Sequence, residues 1–324
     1  MMLHPRAYKV SVVWTLALLF LGSIVHATES SLACPDWPTC FGSMVPEMTG
    51  GVFWEHLHRL VAGGLVLMWV LATWLARRET SDRPWIFRAS VAGVGLLLVQ
   101  SVFGGLTVIY QLPDLVSTTH LTLAFSFLTL ATVLAAATHG AASLEVNAPG
   151  GSAPPTLAGL TSVDGARLRL LAGIGAGAVF VQSVIGALVR HTDGGLSCPD
   201  IPLCLGQVVP PLVNIQIQSH FFHRVMALVA TAAVLGLAVW VVRAEVPQRV
   251  VRWTLAAAAL VVVQVGLGIA SVLSFLAIPP VSLHTLVAAL LLVALSVIAT
   301  WGARAADAGA ADPAGASSPA RAEV

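Results

Sequence analysis

The sequence predicts an all-α integral membrane protein of eight transmembrane helices, built as two tandemly duplicated four-helix bundles with both termini cytoplasmic. Three observations lead there. Of 324 residues, 57% are hydrophobic and only 10% charged, with a mean hydropathy of +0.88, outside the range of soluble domains. Eight apolar stretches are long enough to supply the roughly 20 helical residues that a hydrocarbon core of about 30 Å demands. Finally, a long internal repeat runs through the chain at an offset of 164 or 165 residues.

The apolar stretches cover residues 10–28, 53–76, 88–110 and 116–138, then 168–190, 218–242, 251–275 and 281–302. Arg6 and Lys9 precede the first, Arg77, Arg78, Arg83 and Arg88 lie between the second and third, and Arg167 and Arg169 precede the fifth. Arg243, Arg249 and Arg252 join the sixth and seventh. The other connections carry almost no Lys or Arg, so the positive-inside rule places these basic segments and both termini in the cytoplasm. Arg190 is the exception. Residues 1–140 and 166–304 form the two halves, 141–165 a Gly-, Pro- and Ser-rich linker, and 305–324 a low-complexity, disordered tail. No transit-type extension precedes the first stretch, which points to a prokaryotic plasma membrane. The first stretch looks like a secretory signal, but it is the counterpart of the fifth, which cannot be one. A net charge of +1, with charges scattered, excludes a nucleic-acid-binding surface.

The repeat pairs LACPDWPTCFGSMVP with LSCPDIPLCLGQVVP, HLHRLVA with FFHRVMA, VQSVFGGLTV with VQVGLGIASV, and STTHLTL with VSLHTLV. Four spans return a chain to its starting side, so the halves share one orientation about a pseudo-two-fold axis along the membrane normal. Both cysteine loops then face the non-cytoplasmic side, where disulfides persist. Four cysteines allow three pairings. The simplest joins Cys34 to Cys40 and Cys198 to Cys204, with Pro35, Pro38, Pro199 and Pro202 favouring a turn between the sulfurs.

Four of the ten histidines recur in the repeat: His58 and His120 in the first half, His223 and His284 in the second. Each is expected about five residues inside the non-cytoplasmic end of an even-numbered helix, near 8 Å deep at about 1.5 Å per residue. Ionisable side chains at that depth are costly and mark function by default. The plainer alternative for any one of them is a histidine hydrogen-bonded between helices. Two matched pairs across a helical bundle instead suggest bis-histidine haem sites, whereas a tetrahedral zinc site needs more converging ligands. Arg59 and Arg224 follow the first histidine of each pair, where a guanidinium can clamp a haem propionate or simply snorkel to the interface.

Glu55 stands one turn before His58, whereas His220 holds the equivalent place before His223. A carboxylate at one site only suggests two different tasks; the alternative is that Glu55 faces water at the positive end of the helix dipole. His56 pairs with Phe221 and His26 with Arg190, so their chemistry does not repeat. His4, His139 and His191 are expected to be solvated near membrane edges. Gln100 and Gln264, with Gly104 and Gly268 four residues on, suggest polar interhelical contacts with close packing.

As a set, Glu55-x-x-His58-Arg59, the CPDWPTC loop, the second His-Arg at His223 and Arg224, and the late His120 and His284 resemble the haem A synthase family over nearly all of residues 10–304, linker excepted. The resemblance implies oxidation of a methyl substituent of haem O to a formyl group, giving the haem A of terminal oxidases. It implies that the N-terminal half holds the substrate haem, with His58 and His120 near its iron and Glu55 as the carboxylate needed for turnover. The C-terminal half would hold haem b on His223 and His284, for structure or electron transfer. It further implies haem O synthase, the protohaem farnesyltransferase, as the partner delivering haem O. His220 departs from the family pattern and leaves two histidines one turn apart as candidates for one ligand.

Two other classes fit parts of the sequence. A dihaem b-type electron-transfer protein would use both haems without chemistry on either, but transmembrane transfer wants haems at two depths. A membrane thiol oxidoreductase would use the two cysteine pairs and would leave the intramembrane histidines unexplained; in the haem reading each loop sits just above the haem position, as a lid staple or as a labile redox relay.

Overall fold

In a computed structural model, which describes residues 2–80, 83–138 and 160–311, the chain forms eight helices. These are α1 (His4–Ala27), α2 (Gly50–Glu79), α3 (Pro84–Ile109), α4 (Asp114–Thr138), α5 (Ser162–His191), α6 (Ile215–Arg243), α7 (Gln248–Leu273) and α8 (Ile278–Ala311). All eight are long and apolar enough to cross a membrane, and the chain is a multi-pass membrane protein. Each predicted span coincides with one helix, but the helices begin two to six residues earlier. Local start signals explain this: Pro5 and Pro84 sit in the first turns of α1 and α3. Thr161 and Asn214 cap α5 and α6 by accepting the N–H groups of Asp164 and Ile217 at 3.0 and 2.9 Å.

The earlier starts correct two expectations. His58 and His223 lie eight residues into their helices and His120 and His284 six, about 12 and 9 Å along the axis rather than 8 Å. Of the expected linker, 162–165 already belong to α5 and 141–159 lie outside the described residues; of the expected tail, 305–311 continue α8 and the rest lies outside them. His139 also falls outside.

Helices α1, α4, α5 and α8 pack against one another at the centre. The pairs α2–α3 and α6–α7 flank them on either side. The most apolar stretches of α4 and α8 are 50% buried and that of α7 11%, so α7 presents most of its surface outward, where a bilayer can cover it. At the end opposite the cysteine loops, Trp69 packs between Tyr8 and Phe127, with ring centres 5.3 and 4.8 Å away, and donates to the Ser90 carbonyl at 2.9 Å.

Polar contacts cross between the halves near the cysteine loops. Arg190 donates to the carbonyl and hydroxyl oxygens of Ser23 at 3.3 and 2.9 Å, and Ser23 reaches Thr285 at 3.3 Å. A cation beyond the reach of the positive-inside rule is thus tied across the central helices. His191 is half-buried rather than solvated, bonded to Thr118 at 3.1 Å and edge-on to His26 at 5.6 Å. His4 is buried, not solvated: Glu79 accepts its backbone N–H at 3.0 Å and lies 2.8 Å from its ring. Both reversals have one cause, since a helix end in a bundle meets a neighbouring helix before it meets water.

Candidate functional site

Each repeated histidine lies against a glycine on the preceding helix. A Cβ on Gly22 would meet the Cε1 of His58 at 3.1 Å, one on Gly104 that of His120 at 3.0 Å, one on Gly186 that of His223 at 2.8 Å, and one on Gly268 that of His284 at 3.2 Å. The glycine is therefore a notch: a side chain there would crowd the imidazole and force it to shift, most of all at Gly186. Four helix pairs carry the same notch at positions 22, 104, 186 and 268, spaced by 82 residues.

The turn before the notch decides the tautomer. His120 Nδ1 lies 3.1 Å from the Gln100 carbonyl and His284 Nδ1 3.1 Å from the Gln264 carbonyl. A carbonyl only accepts, so Nδ1 carries the proton in each ring and Nε2 keeps the lone pair. The amide nitrogens of the same glutamines, 3.4 and 3.3 Å from those Nε2 atoms, can then only donate to them. Gln182 presents its amide nitrogen to His223 at 3.0 Å from Nδ1 and 3.2 Å from Nε2. His58 has no such partner, and its Nδ1 is buried without a hydrogen bond.

These rings suit an iron held from both sides. The centres of His223 and His284 lie 6.4 Å apart. Ligand nitrogens about 2 Å from a metal, with ring centres roughly 1 Å further out, give about 6 Å between ring centres. In His284 the proton fixed on Nδ1 leaves Nε2 as the ligating atom, the usual second-sphere arrangement of metal-binding histidine, whereas His223 has an amide donor on its Nδ1 side. The residues present fit a haem in the second half.

Above the histidines, the cysteine loops are clamped to α2 and α6. Cys34–Cys40 and Cys198–Cys204 are disulfides, with S–S distances of 2.04 and 1.94 Å. Both loops contain a cis proline, Pro38 and Pro202. Arg59 donates to the carbonyls of Asp36, Thr39 and Cys34 at 2.7, 2.6 and 3.5 Å. Arg224 does the same to Asp200, Leu203 and Cys198 at 2.7, 2.6 and 2.5 Å. The propionate role expected of both arginines therefore competes with three loop carbonyls in each half. Within the first loop, Asp36 accepts from the Thr39 hydroxyl and from the N–H groups of Phe41 and Gly42 at 2.6 and 2.9 Å. The Thr39 hydroxyl foremost, then the backbone donors, hold this exposed carboxyl below the usual range.

The halves part at one turn of helix. Glu55 is 5% exposed and accepts from the Cys34 N–H at 2.8 Å and from Arg59 at 2.5 Å. It does not face water, which removes the plainest alternative for it. His220, also 5% exposed, instead bonds the Gly194 carbonyl at 2.9 Å, so it is fastened to the α5–α6 connection while His223 takes the glycine notch. His56 lies with Cys34 and Cys40 in a cluster whose candidate ligand atoms fall within 4.8 Å. The disulfide engages both sulfurs, and the His56 Nε2 is bonded to the Met44 carbonyl at 3.0 Å.

The sequence profile of one family, described as Cytochrome oxidase assembly protein, matches residues 6–296. The chain belongs to that family. Among its relatives, a protein of Halalkalibacterium halodurans named Heme A synthase is 30% identical over 287 residues, covering 87% of this chain and 91% of the relative. One of Symbiobacterium thermophilum, with the same name, is 31% identical over 84% of this chain and 86% of its own length. A third, of Shewanella oneidensis and again named Heme A synthase, is 26% identical over 90% and 94%. The stretch matched by the family profile takes in both cysteine loops and all four notched histidines.

Sequence reasoning found the four histidines, Glu55, both His-Arg pairs and the disulfide pairing. It missed Gln182, Gly22 and Gly186, and the imidazole as the partner of Gln100 and Gln264. The signal was present: Gln100, Gln182 and Gln264 are also 82 residues apart, a period half that of the repeat searched for.

Proposed function

We propose that this chain is a haem A synthase, an oxidoreductase that converts a methyl substituent of haem O to the formyl group of haem A. The observation that carries the reading is Glu55, a buried carboxylate one turn from a notched histidine, present in one half only. Three relatives named Heme A synthase, aligned over most of both chains, support it.

The first half is the substrate site, where His58 and His120 hold the haem O iron; the second holds haem b on His223 and His284. Bound iron porphyrin supplies the redox chemistry, and the protein supplies position and charge. His120 Nδ1 keeps its proton on the Gln100 carbonyl, so Nε2 is the atom whose lone pair would take the substrate iron. With water as the oxygen source, converting the methyl to a formyl group releases four protons and four electrons; the electrons would leave through bound iron to an external acceptor, and the Glu55 carboxylate is the group placed to take up protons. Arg59 holds that carboxylate at one oxygen and the Cys34 N–H holds it at the other, so the cysteine loop and the acid–base group move as one unit. The loops lie on the non-cytoplasmic side of a prokaryotic plasma membrane, and haem O synthase is the partner that supplies haem O.

Co-expression of the chain with a haem O source, followed by chromatography of the pigments extracted from the purified protein, tests this. Haem B together with haem A and residual haem O is the expected result. Two haem B per chain with no haem A would overturn it in favour of an electron-transfer protein.

A further inference from the structure

The ring of Trp37, in the middle of the first cysteine loop, lies against Gly105 of α3: a Cβ on that glycine would meet Trp37 Cδ2 at 2.7 Å. Gly105 is buried and adjoins Gly104, the notch of His120. The equivalent residues of the second half are Ile201 and Ile269, and Ile269 is 39% exposed. We propose that Trp37 is a positioning residue for Glu55: it pins the first cysteine loop to α3, and the loop holds the carboxylate in place relative to His58 and His120. This rests on the haem A synthase reading above.

The links run in sequence from the carboxylate outward. One Glu55 oxygen accepts the Cys34 N–H at 2.8 Å and the other accepts from Arg59 at 2.5 Å. Arg59 also donates to the carbonyls of Asp36 and Thr39, on either side of Trp37, at 2.7 and 2.6 Å. All of these groups belong to α2 or to the loop that leads into it, and Trp37 joins them to α3, whose Gly104 receives His120. An indole is large and rigid, with only two side-chain torsions. Against a glycine it reaches the helix backbone itself, so the ring sets the separation of loop and helix. The second loop is held at another place, where a Cβ on Gly195 would meet Leu276 of the α7–α8 turn at 2.9 Å.

The asymmetry matches what each half must do. A general base works only within hydrogen-bond reach of the proton it takes, and a misplacement of about 1 Å that originates away from the chemistry can cost about a hundredfold in rate. The first half has a carboxylate to place and has the pin. In the second half His220 stands for Glu55, and isoleucines stand for both partners of the pin.

The test uses the full chain co-expressed with a haem O source and purified. Extracted pigments give the ratio of haem A to haem O, and amide hydrogen exchange read by mass spectrometry follows the peptide containing Cys34. Trp37→Ala should lower the ratio at least tenfold and quicken exchange in that peptide about tenfold, while haem B and the sum of haem O and haem A per chain stay at wild-type levels. Gly105→Ala, which displaces the ring, should do the same. Trp37→Phe, which keeps an aromatic ring, should restore the ratio, and Ile201→Ala in the second loop should leave it unchanged. A wild-type ratio in Trp37→Ala would overturn the inference, as would an equal fall in Ile201→Ala or the loss of bound haem from Trp37→Ala. Should Gly105→Ala not fold, Trp37→Ala, a change in a loop, decides alone. A wild-type chain that forms no haem A defeats the functional reading, whereas unchanged exchange in Trp37→Ala defeats the pin whatever the wild type forms.

Discussion

The second helix pair of each half, α3–α4 and α7–α8, keeps the same parts in both copies: Gln100 and Gln264, Gly104 and Gly268, His120 and His284. Even the connecting turns agree, with left-handed backbone at Gln111 and Leu112 and again at Phe275 and Leu276. The first helix pairs, α1–α2 and α5–α6, keep the notch, the disulfide loop and the arginine clamp but differ in almost every polar group around them. Glu55 corresponds to His220, Leu18 to Gln182, His26 to Arg190 and His56 to Phe221. Features set by backbone approach, such as a glycine that admits an imidazole, are shared. The polar groups that differ all belong to the first helix pair of each half.

That comparison can be broken from either side. The largest effect is expected at the shared positions of the second half: His284→Ala should strip the resident haem b, dropping its content in the purified chain at least tenfold. Unchanged haem b would dissolve the pairing of His284 with His223. Next come the two clamps. Arg59→Ala leaves a buried carboxylate unpaired and should cost about 3 kcal/mol of stability, whereas Arg224→Ala loses only bonds to carbonyls and should cost about half as much. Equal shifts in denaturation midpoint would mean that Glu55 is not ion-paired. Replacing either cysteine pair by serine opens a loop of the same length, since both separations are 6, and should cost about 2 kcal/mol in each half. A cost confined to one half would show that the loops are not equivalent staples.

The smallest effect is a pH dependence. The Asp36 carboxyl is held below its ordinary value by Thr39 and the Phe41 and Gly42 N–H groups. Its contribution is present above the unfolded carboxyl range, near pH 4, and is lost as pH falls through the lower folded value. The stability gap between wild type and Asp36→Asn, measured by thermal melts, should therefore close on acidification and stay constant from pH 6 to 8.

Much of this was legible in the sequence because membrane spans and duplications write themselves in composition and period. Eight apolar stretches gave eight helices, and PDWPT and PDIPL between matched cysteines gave two closed loops. What stayed hidden was interhelical. His4 looks like a solvated end residue until Glu79, 75 positions on, is seen beside it, and the arginines look free to bind propionates until the loop carbonyls fold down onto them. Gln182 was missed because its motif belongs to a quarter-chain period, visible only once each glycine is seen against its histidine.

The central claim is that one half reacts and the other does not, and Glu55→Gln tests it most directly. Pigments extracted from wild type and from this variant, each co-expressed with a haem O source, should both contain haem B. Wild type should add haem A and the variant haem O alone, with at least a hundredfold loss of formyl product. Haem A from the variant at the wild-type level would contradict the account.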